Sequence, residues 1–141
     1  MSIEDSRALV YRLFGEVINQ WDFAVLDQVF ATNFRVAPGD SEESGMRGPE
    51  GAKQFFTWLR SVFPDLHYTI DDVVVEGEKV VARVHARGTH GGEYLGHPPT
   101  GLPVEYSEML MFRVVEGRIA EWWIQINQLS ILEQIGAMSA Q

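Results

Sequence analysis

The chain contains no cysteine, which excludes disulfides, thiolate nucleophiles and thiolate metal sites and says nothing about compartment. Positive charge is scarce. Eleven Lys and Arg stand against twenty Asp and Glu, a formal net charge of -9, so a phosphate backbone or an anionic membrane surface would repel the molecule. Neither nucleic acid nor membrane is an expected partner. No apolar run approaches the length of a membrane span, and the opening MSIEDSRALV has early acids and no long apolar core, unlike a secretion signal. A cytoplasmic protein is expected. Also missing are a glycine-rich phosphate cradle after a strand, a serine nucleophile elbow and a helical zinc signature. The expected cofactor set is empty, and His90, Glu93 and His97 resemble metal ligands too loosely to count.

What is present suits one core. A length of 141 residues with 45% hydrophobic content matches a single domain over 1–141. Ser2 and Asp5 have the spacing of a capping box, and Leu9, Val10, Leu13, Phe14, Val17 and Ile18 follow at helical spacing. Asp22 is placed to cap a short helix over 23–30, with a brief strand over 34–37. The polar, turn-rich 38–48 reads as a loop or lid. Pro49 suits the first turn of a third helix with Ala52, Phe55, Phe56, Leu59 and Phe63 on one stripe, ended by Pro64.

The period then changes. Segments 68–75, 80–89, 104–115 and 118–127 alternate as strands, and a short last helix follows Leu129. Helices followed by a meander of strands give an α+β domain with helices on one face of a curved sheet. Between two of these strands runs RGTHGGEYLGHPPTGLPV, residues 87–104. A connection this long inside a small domain tends to carry function.

Several segments resemble the SnoaL-like polyketide cyclase family. They are GTHGGEYLGHPPTG at 88–101, the turn EGRI at 116–119 with the EWWIQIN that follows, LSILEQIGA, WDFAVLDQVFATNF at 21–34 and FPDLHYTIDDVVVEGEKV at 63–80. The resemblance implies a nuclear transport factor 2-like cone, with three N-terminal helices packed on a curved, mostly antiparallel sheet that forms a cone-shaped α+β barrel. It also implies acid/base work by a histidine on the penultimate strand and an aspartate after a tryptophan on the last. Here Ser107 stands for the histidine and Ile124 for the aspartate, and neither exchanges a proton near neutral pH. Related isomerase and epoxide hydrolase chemistries are disfavoured. Tyr11 matches a tyrosine of the isomerase, but the strand Phe34, Arg35, Val36, Ala37 offers no acid, and Asp71 and Asp72 find no matching arginine in the last hairpin.

The hairpin around Glu116 and Gly117 sorts residues by face. If Val115 pairs with Arg118 and the register continues unbroken, Glu105, Ser107, Met109 and Met111 share a face with Trp122, Ile124 and Ile126. Tyr106, Glu108, Leu110 and Phe112 then lie with Trp123, Gln125 and Asn127. Both faces are apolar, so one is expected to meet a second copy of the chain as a homodimer, or else to be covered by a C-terminal segment. The expected pocket wall of Met109, Met111, Trp122, Ile124 and Ile126, with Tyr11, Phe34 and Trp58 as further lining, suits a small apolar or aromatic ligand. Candidates for proton chemistry are His90, which leaves its strand just before the loop, and whichever of Glu105 and Glu108 faces the cavity. Asn127, Gln125, Tyr106 and His90 are candidate donors to an enolate oxygen. His97 is expected to be exposed, and His67 and His85 structural. Two functions remain open. One is cofactor-free cyclisation or hydroxylation of a polyketide-like compound; the other is a non-catalytic binding protein that has kept the pocket and lost the acid/base pair.

Overall fold

A computed structural model describes residues 2–36 and 46–138. The expected lid at 38–48 lies outside the described residues up to 45, as does the tail past 138.

Ser2 and Asp5 form the reciprocal capping box that opens α1 (Ile3–Arg12), each side chain accepting the other's backbone N–H. The helix runs on into a π-helical turn, Leu13–Ile18, where the Asn19 N–H reaches back five residues to the Phe14 carbonyl at 2.9 Å. Widening the turn buries Leu13, Phe14, Val17 and Ile18 together, the kind of irregularity often found beside a functional site. Asp22 accepts the Ala24 N–H and starts a 3-10 turn, Phe23–Val25, that leads into the single turn α2 (Leu26–Val29). Strand β1 (Phe30–Val36) follows, earlier and longer than expected. The third helix, α3 (Gly48–Val62), has Pro49 in its first turn and buries Ala52, Phe56, Leu59 and Val62.

The sheet comprises β1, β2 (His67–Glu76), β3 (Lys79–Thr89), β4 (Pro103–Val115) and β5 (Arg118–Ile126) in the order β1-β5-β4-β3-β2. Among the described strands only β1 and β5 are parallel; the other pairs are antiparallel. Helix α4 (Gln128–Gln134) closes the described chain. This is the expected α+β class, with four α-helices among the described residues against an open, mostly antiparallel sheet.

Two bulges decide which side chains point inward. In β2, Ile70 pairs with Val84 and Asp72 with Arg83, so Asp71 is the extra residue. In β5, Val114 pairs with Ile119 but Arg113 with Glu121, so Ala120 is extra. The second bulge overturns the expected hairpin faces. Val115 does pair with Arg118, but beyond Ala120 the parity flips, and Phe112 pairs with Trp122 and Leu110 with Ile124. Trp122, Ile124 and Ile126 therefore share a face with Phe112, Leu110, Glu108 and Tyr106. Met109 and Met111 lie on the opposite face, because an inserted residue in a two-residue period exchanges every later side chain across the sheet.

Inside the concave face, Trp122 sits among Phe30, Phe34, Phe55 and Phe56, with ring centroids 5.1 to 6.0 Å away and planes steeply inclined. Such edge-to-face contacts add to the burial of a large ring. On the convex side Glu121 joins Arg113 (2.6 Å) and Arg35 (3.0 Å). The Arg113 hydrogen bond holds its carboxyl below the ordinary range, which ties β1, β5 and β4 together by charge.

Candidate functional site: a buried carboxylate in an apolar cavity

A cavity of about 360 Å³ opens between the helices and the concave face of the sheet. The π turn supplies Leu13, Phe14 and Ile18, α3 supplies Phe55, Phe56 and Trp58, and the sheet supplies Leu110, Trp122, Ile124 and Ile126. Its wall is interrupted by Tyr68, Tyr94, Tyr106, Glu108 and Gln128. Glu108 is the one carboxylate among the described lining residues. This is the composition of a small-molecule site, an apolar concavity with a few converging polar groups.

The sheet register brings the polar groups together. Tyr68 on β2 and Tyr106 on β4 both pair with Ala86 on the intervening β3. Across that small side chain the two rings lie nearly perpendicular, centroids 6.1 Å apart, with hydroxyls 3.0 Å from each other. The Tyr68 hydroxyl also donates to Glu108 Oε1. Tyr68 is itself held by Asn19, whose side chain accepts the Tyr68 N–H (2.7 Å) and donates to its carbonyl (3.0 Å). Burial pushes the Glu108 carboxyl up to about 7, only partly offset by the Tyr68 hydrogen bond. The charged form has lost its water. Burial and the nearby Glu108 likewise raise both tyrosines, Tyr68 well above the ordinary phenol. A carboxylate poised near neutral pH, with phenolic donors beside it, can take and return a proton.

The long loop serves this site by carrying Tyr94. Gly91 and Gly92 both donate to the Val62 carbonyl (2.8 and 3.1 Å), satisfying the C-terminal end of α3. His90 is completely buried. Its Nδ1 accepts the Thr100 N–H at 3.2 Å and meets the Thr100 hydroxyl at 3.0 Å, while its backbone bonds to Leu102 and Gly101. The ring proton therefore sits on Nε2, which is buried without a partner among the described residues. Tyr94 then stacks on Trp58 (6.2 Å) and packs on Phe63 at the cavity wall, its hydroxyl accepting from Gln128 at 3.3 Å.

Of the residues singled out from sequence, the structure gathers Glu108, Trp58, Trp122 and Ile124 at the cavity, with the candidate donor Tyr106. His90 does not line it; its imidazole closes the loop instead. Phe34 is fully buried behind Trp122 rather than in the wall. Tyr11 is 54% exposed on the outer side of α1. Glu105 is exposed because it lies on the convex face, where its backbone bonds the Gln134 side chain. The β5 bulge leaves Met109 and Met111 there too, Met109 being 47% exposed. Asn127 caps α4, accepting the Ser130 N–H. With Ser107 and Gln125 it borders a second groove that also takes in Asp71 and Arg83 and shares Glu108 and Ile126 with the cavity. His85 and His67 are exposed, His85 pairing with Asp71 at 2.9 Å, and His97 is half-buried. Sequence reasoning missed Asn19, Tyr68, Tyr94 and Gln128. The Gly-pair before Tyr94 was the available signal for that tyrosine; nothing local marked the other three.

No three His, Asp or Glu side chains among the described residues converge as metal ligands do. Among the described residues no helix is long and apolar enough to cross a membrane.

Residues 8–135 match the model of the SnoaL-like polyketide cyclase family, and the chain belongs to that family. It is 29% identical over 101 residues to the aklanonic acid methyl ester cyclase DnrD of Streptomyces peucetius, covering 70% of each chain. Among solved structures, TsrD from Streptomyces laurentii superposes with a TM-score of 0.86 at 28% identity, over 98% of this chain and 99% of TsrD. IdmH from Streptomyces antibioticus, a proposed polyketide cyclase, superposes with a TM-score of 0.77 at 32% identity, over 92% of this chain and 97% of IdmH.

Proposed function

We propose that this protein is a cofactor-free cyclase that takes a flat, polyketide-like ketone into the cavity and closes a ring by an intramolecular aldol step. The observation that carries this reading is the buried Glu108 carboxyl, facing an apolar cavity and shifted to about 7. Glu108 removes a proton from a carbon beside a carbonyl, leaving an enolate. The enolate carbon then bonds to a second carbonyl carbon of the same molecule, and the resulting alkoxide takes the proton back. Atoms balance without a co-reactant. A 1,3-dicarbonyl substrate lowers the demand on the base, and holding both reacting ends in one cavity supplies the remainder by proximity. DnrD, a cyclase by name, supports the reading from outside the chain.

The test is a panel of anthraquinone and polycyclic 1,3-diketone compounds, followed by quenching of tryptophan fluorescence and by product analysis. Turnover is expected to fall about 10²- to 10⁴-fold in Glu108→Gln while binding persists. Undiminished turnover in that variant sinks the assignment. Binding without turnover in the wild type would identify a binding protein of the same fold.

A second copy of the chain is the proposed partner for the convex face. Met109 is exposed there, with Met111 and Trp123 half-buried, and α4 contributes Ile131 to the cavity wall. Light scattering should give a dimer mass that Met109→Lys reduces to the monomer; a monomeric wild type refutes this.

A further inference from the structure

Glu108, Tyr68 and Tyr106 form a chain whose donors can be counted. An ionised carboxylate only accepts, and each tyrosine has one hydroxyl proton. Tyr68 gives its proton to Glu108 Oε1, so the 3.0 Å contact between the two hydroxyls must use the proton of Tyr106. While Glu108 is charged, both phenolic protons point toward it and Tyr106 has none left for the cavity. Glu108 Oε2 makes no hydrogen bond to the described residues, and is the oxygen free to receive a proton.

We propose that this chain reverses during the reaction, so that Tyr106 becomes the hydrogen-bond donor to the substrate oxygen only after Glu108 has taken the substrate's proton. The inference rests on the base role assigned above. When the C–H bond breaks, its proton forms an O–H bond at Glu108 Oε2, and the electron pair moves to the carbonyl oxygen as an enolate. The negative charge has left the carboxyl. Oε1 is now the poorer acceptor, because hydrogen bonds to charged oxygens are roughly twice as strong as neutral ones. Tyr68 turns its proton to Tyr106, and Tyr106 turns its own to the enolate. No proton leaves either phenol, and the high pKa that burial gives both keeps them protonated. The donors follow the charge from one end of the chain to the other, which stabilises the enolate more than the ground-state ketone. Tyr106 is a catalytic residue in this scheme, Tyr68 a positioning residue, and Ala86 the spacer that lets their hydroxyls meet.

Among the described residues, Tyr94 is the remaining titratable group in the cavity, and the helices contribute only uncharged side chains to it. Glu108 also borders the second groove, where Asp71 and Arg83 are the charged neighbours; both are common to the wild type and the tyrosine variants.

The deciding experiment needs no substrate. Glutamate and tyrosine are labelled with ¹³C at the carboxyl and phenol carbons, and pH is titrated in the wild type and in Tyr68→Phe. The Tyr106 carbon is expected to shift at the midpoint of Glu108 in the wild type and to lose most of that response in Tyr68→Phe. A Tyr106 signal that ignores the Glu108 titration, or follows it at full amplitude without Tyr68, overturns the chain. Deuterium exchange into 2-tetralone then separates this from the base assignment. Retained exchange in Glu108→Gln would sink the base and leave the titration result standing. With the base intact, Tyr68→Phe and Tyr106→Phe should each slow exchange about 10²-fold, and the double variant should be no slower than the worse single; multiplied losses would refute the reversal.

Discussion

Asn19 brackets the backbone of Tyr68, accepting its N–H and donating to its carbonyl across a separation of 49 residues. The π turn makes this reach possible, because Asn19 is its C-terminal cap. One side chain thus fastens the end of the first helix to the start of β2, with the Phe14 and Tyr68 rings 5.2 Å apart beside it. Replacing Asn19 with Ala strands two partly buried backbone groups, at a cost of about 1–3 kcal/mol. Tyr68 is also freed to drift from Glu108. Urea denaturation should show the stability loss, and the Glu108 carboxyl should titrate higher than in the wild type, since the Tyr68 hydrogen bond lowers it. An unchanged Glu108 midpoint would mean that Tyr68 is positioned without Asn19.

Glu108 makes stability depend on pH in a direction opposite to that of most carboxylates. Its folded pKa of about 7 lies above the ordinary 4.5, so the native state holds the proton more tightly than the unfolded chain. The stability this contributes is fully present below about 4.5 and is lost as pH rises through about 7, amounting to roughly 3 kcal/mol. Asp65 and Glu121 are shifted down and act in the opposite sense, but they are common to wild type and variant. Glu108→Gln should therefore gain on the wild type between pH 4.5 and pH 8, measured as the difference of two urea curves at each pH. A constant difference would place the Glu108 pKa near its unfolded value.

What was legible in the sequence is what local chemistry specifies. Ser2 and Asp5 announce the first helix, and Glu116 and Gly117, both with positive φ (51° and 80°), announce the hairpin, because these residue types meet local conformational demands without help from distant chain. The bulges at Asp71 and Ala120 are set by tertiary packing. Two-residue periodicity has no symbol for an inserted residue, and in a sheet apolar on both faces the pattern gives no warning. A single unseen residue placed Met109 and Met111 beside Trp122 and took Leu110 and Phe112 away from it. Tyr68 and Asn19 escaped for a related reason. Their roles depend on contacts 40 and 49 residues away, and neither stands out among its neighbours.

The docking of the long loop can be tested at Gly92. A Cβ there would lie 2.0 Å from the Ser61 carbonyl oxygen, a backbone atom that cannot move aside. Gly92→Ala should lift the loop from the end of α3, break the two bonds to Val62 and withdraw Tyr94 from Trp58. The expected cost is about 1–3 kcal/mol. Amide exchange should quicken at Gly91, Gly92 and Gly101 while β2 to β5 stay protected. Unchanged exchange in the loop would show that it is held by His90 and Thr100 alone.

Ala86 offers the sharpest test of how the sheet builds the site. It pairs with Tyr68 on one side and Tyr106 on the other, is almost wholly buried, and is the small side chain over which the hydroxyls meet. Valine is a good strand former, so Ala86→Val should not disturb the backbone of β3. Its two extra methyl groups must instead occupy the space between the rings. Overpacking of this kind costs about 1–3 kcal/mol, and the rings separate to accommodate it. The Tyr68 hydroxyl cannot then reach Glu108 and Tyr106 together. The ¹³C titration should show the response of Tyr106 to Glu108 collapsing as it does in Tyr68→Phe, with both tyrosines still present. Ala86→Gly, which removes bulk, should preserve it. If the valine variant keeps the coupled titration, the hydroxyls are held together by the walls of the cavity and not by the gap at Ala86.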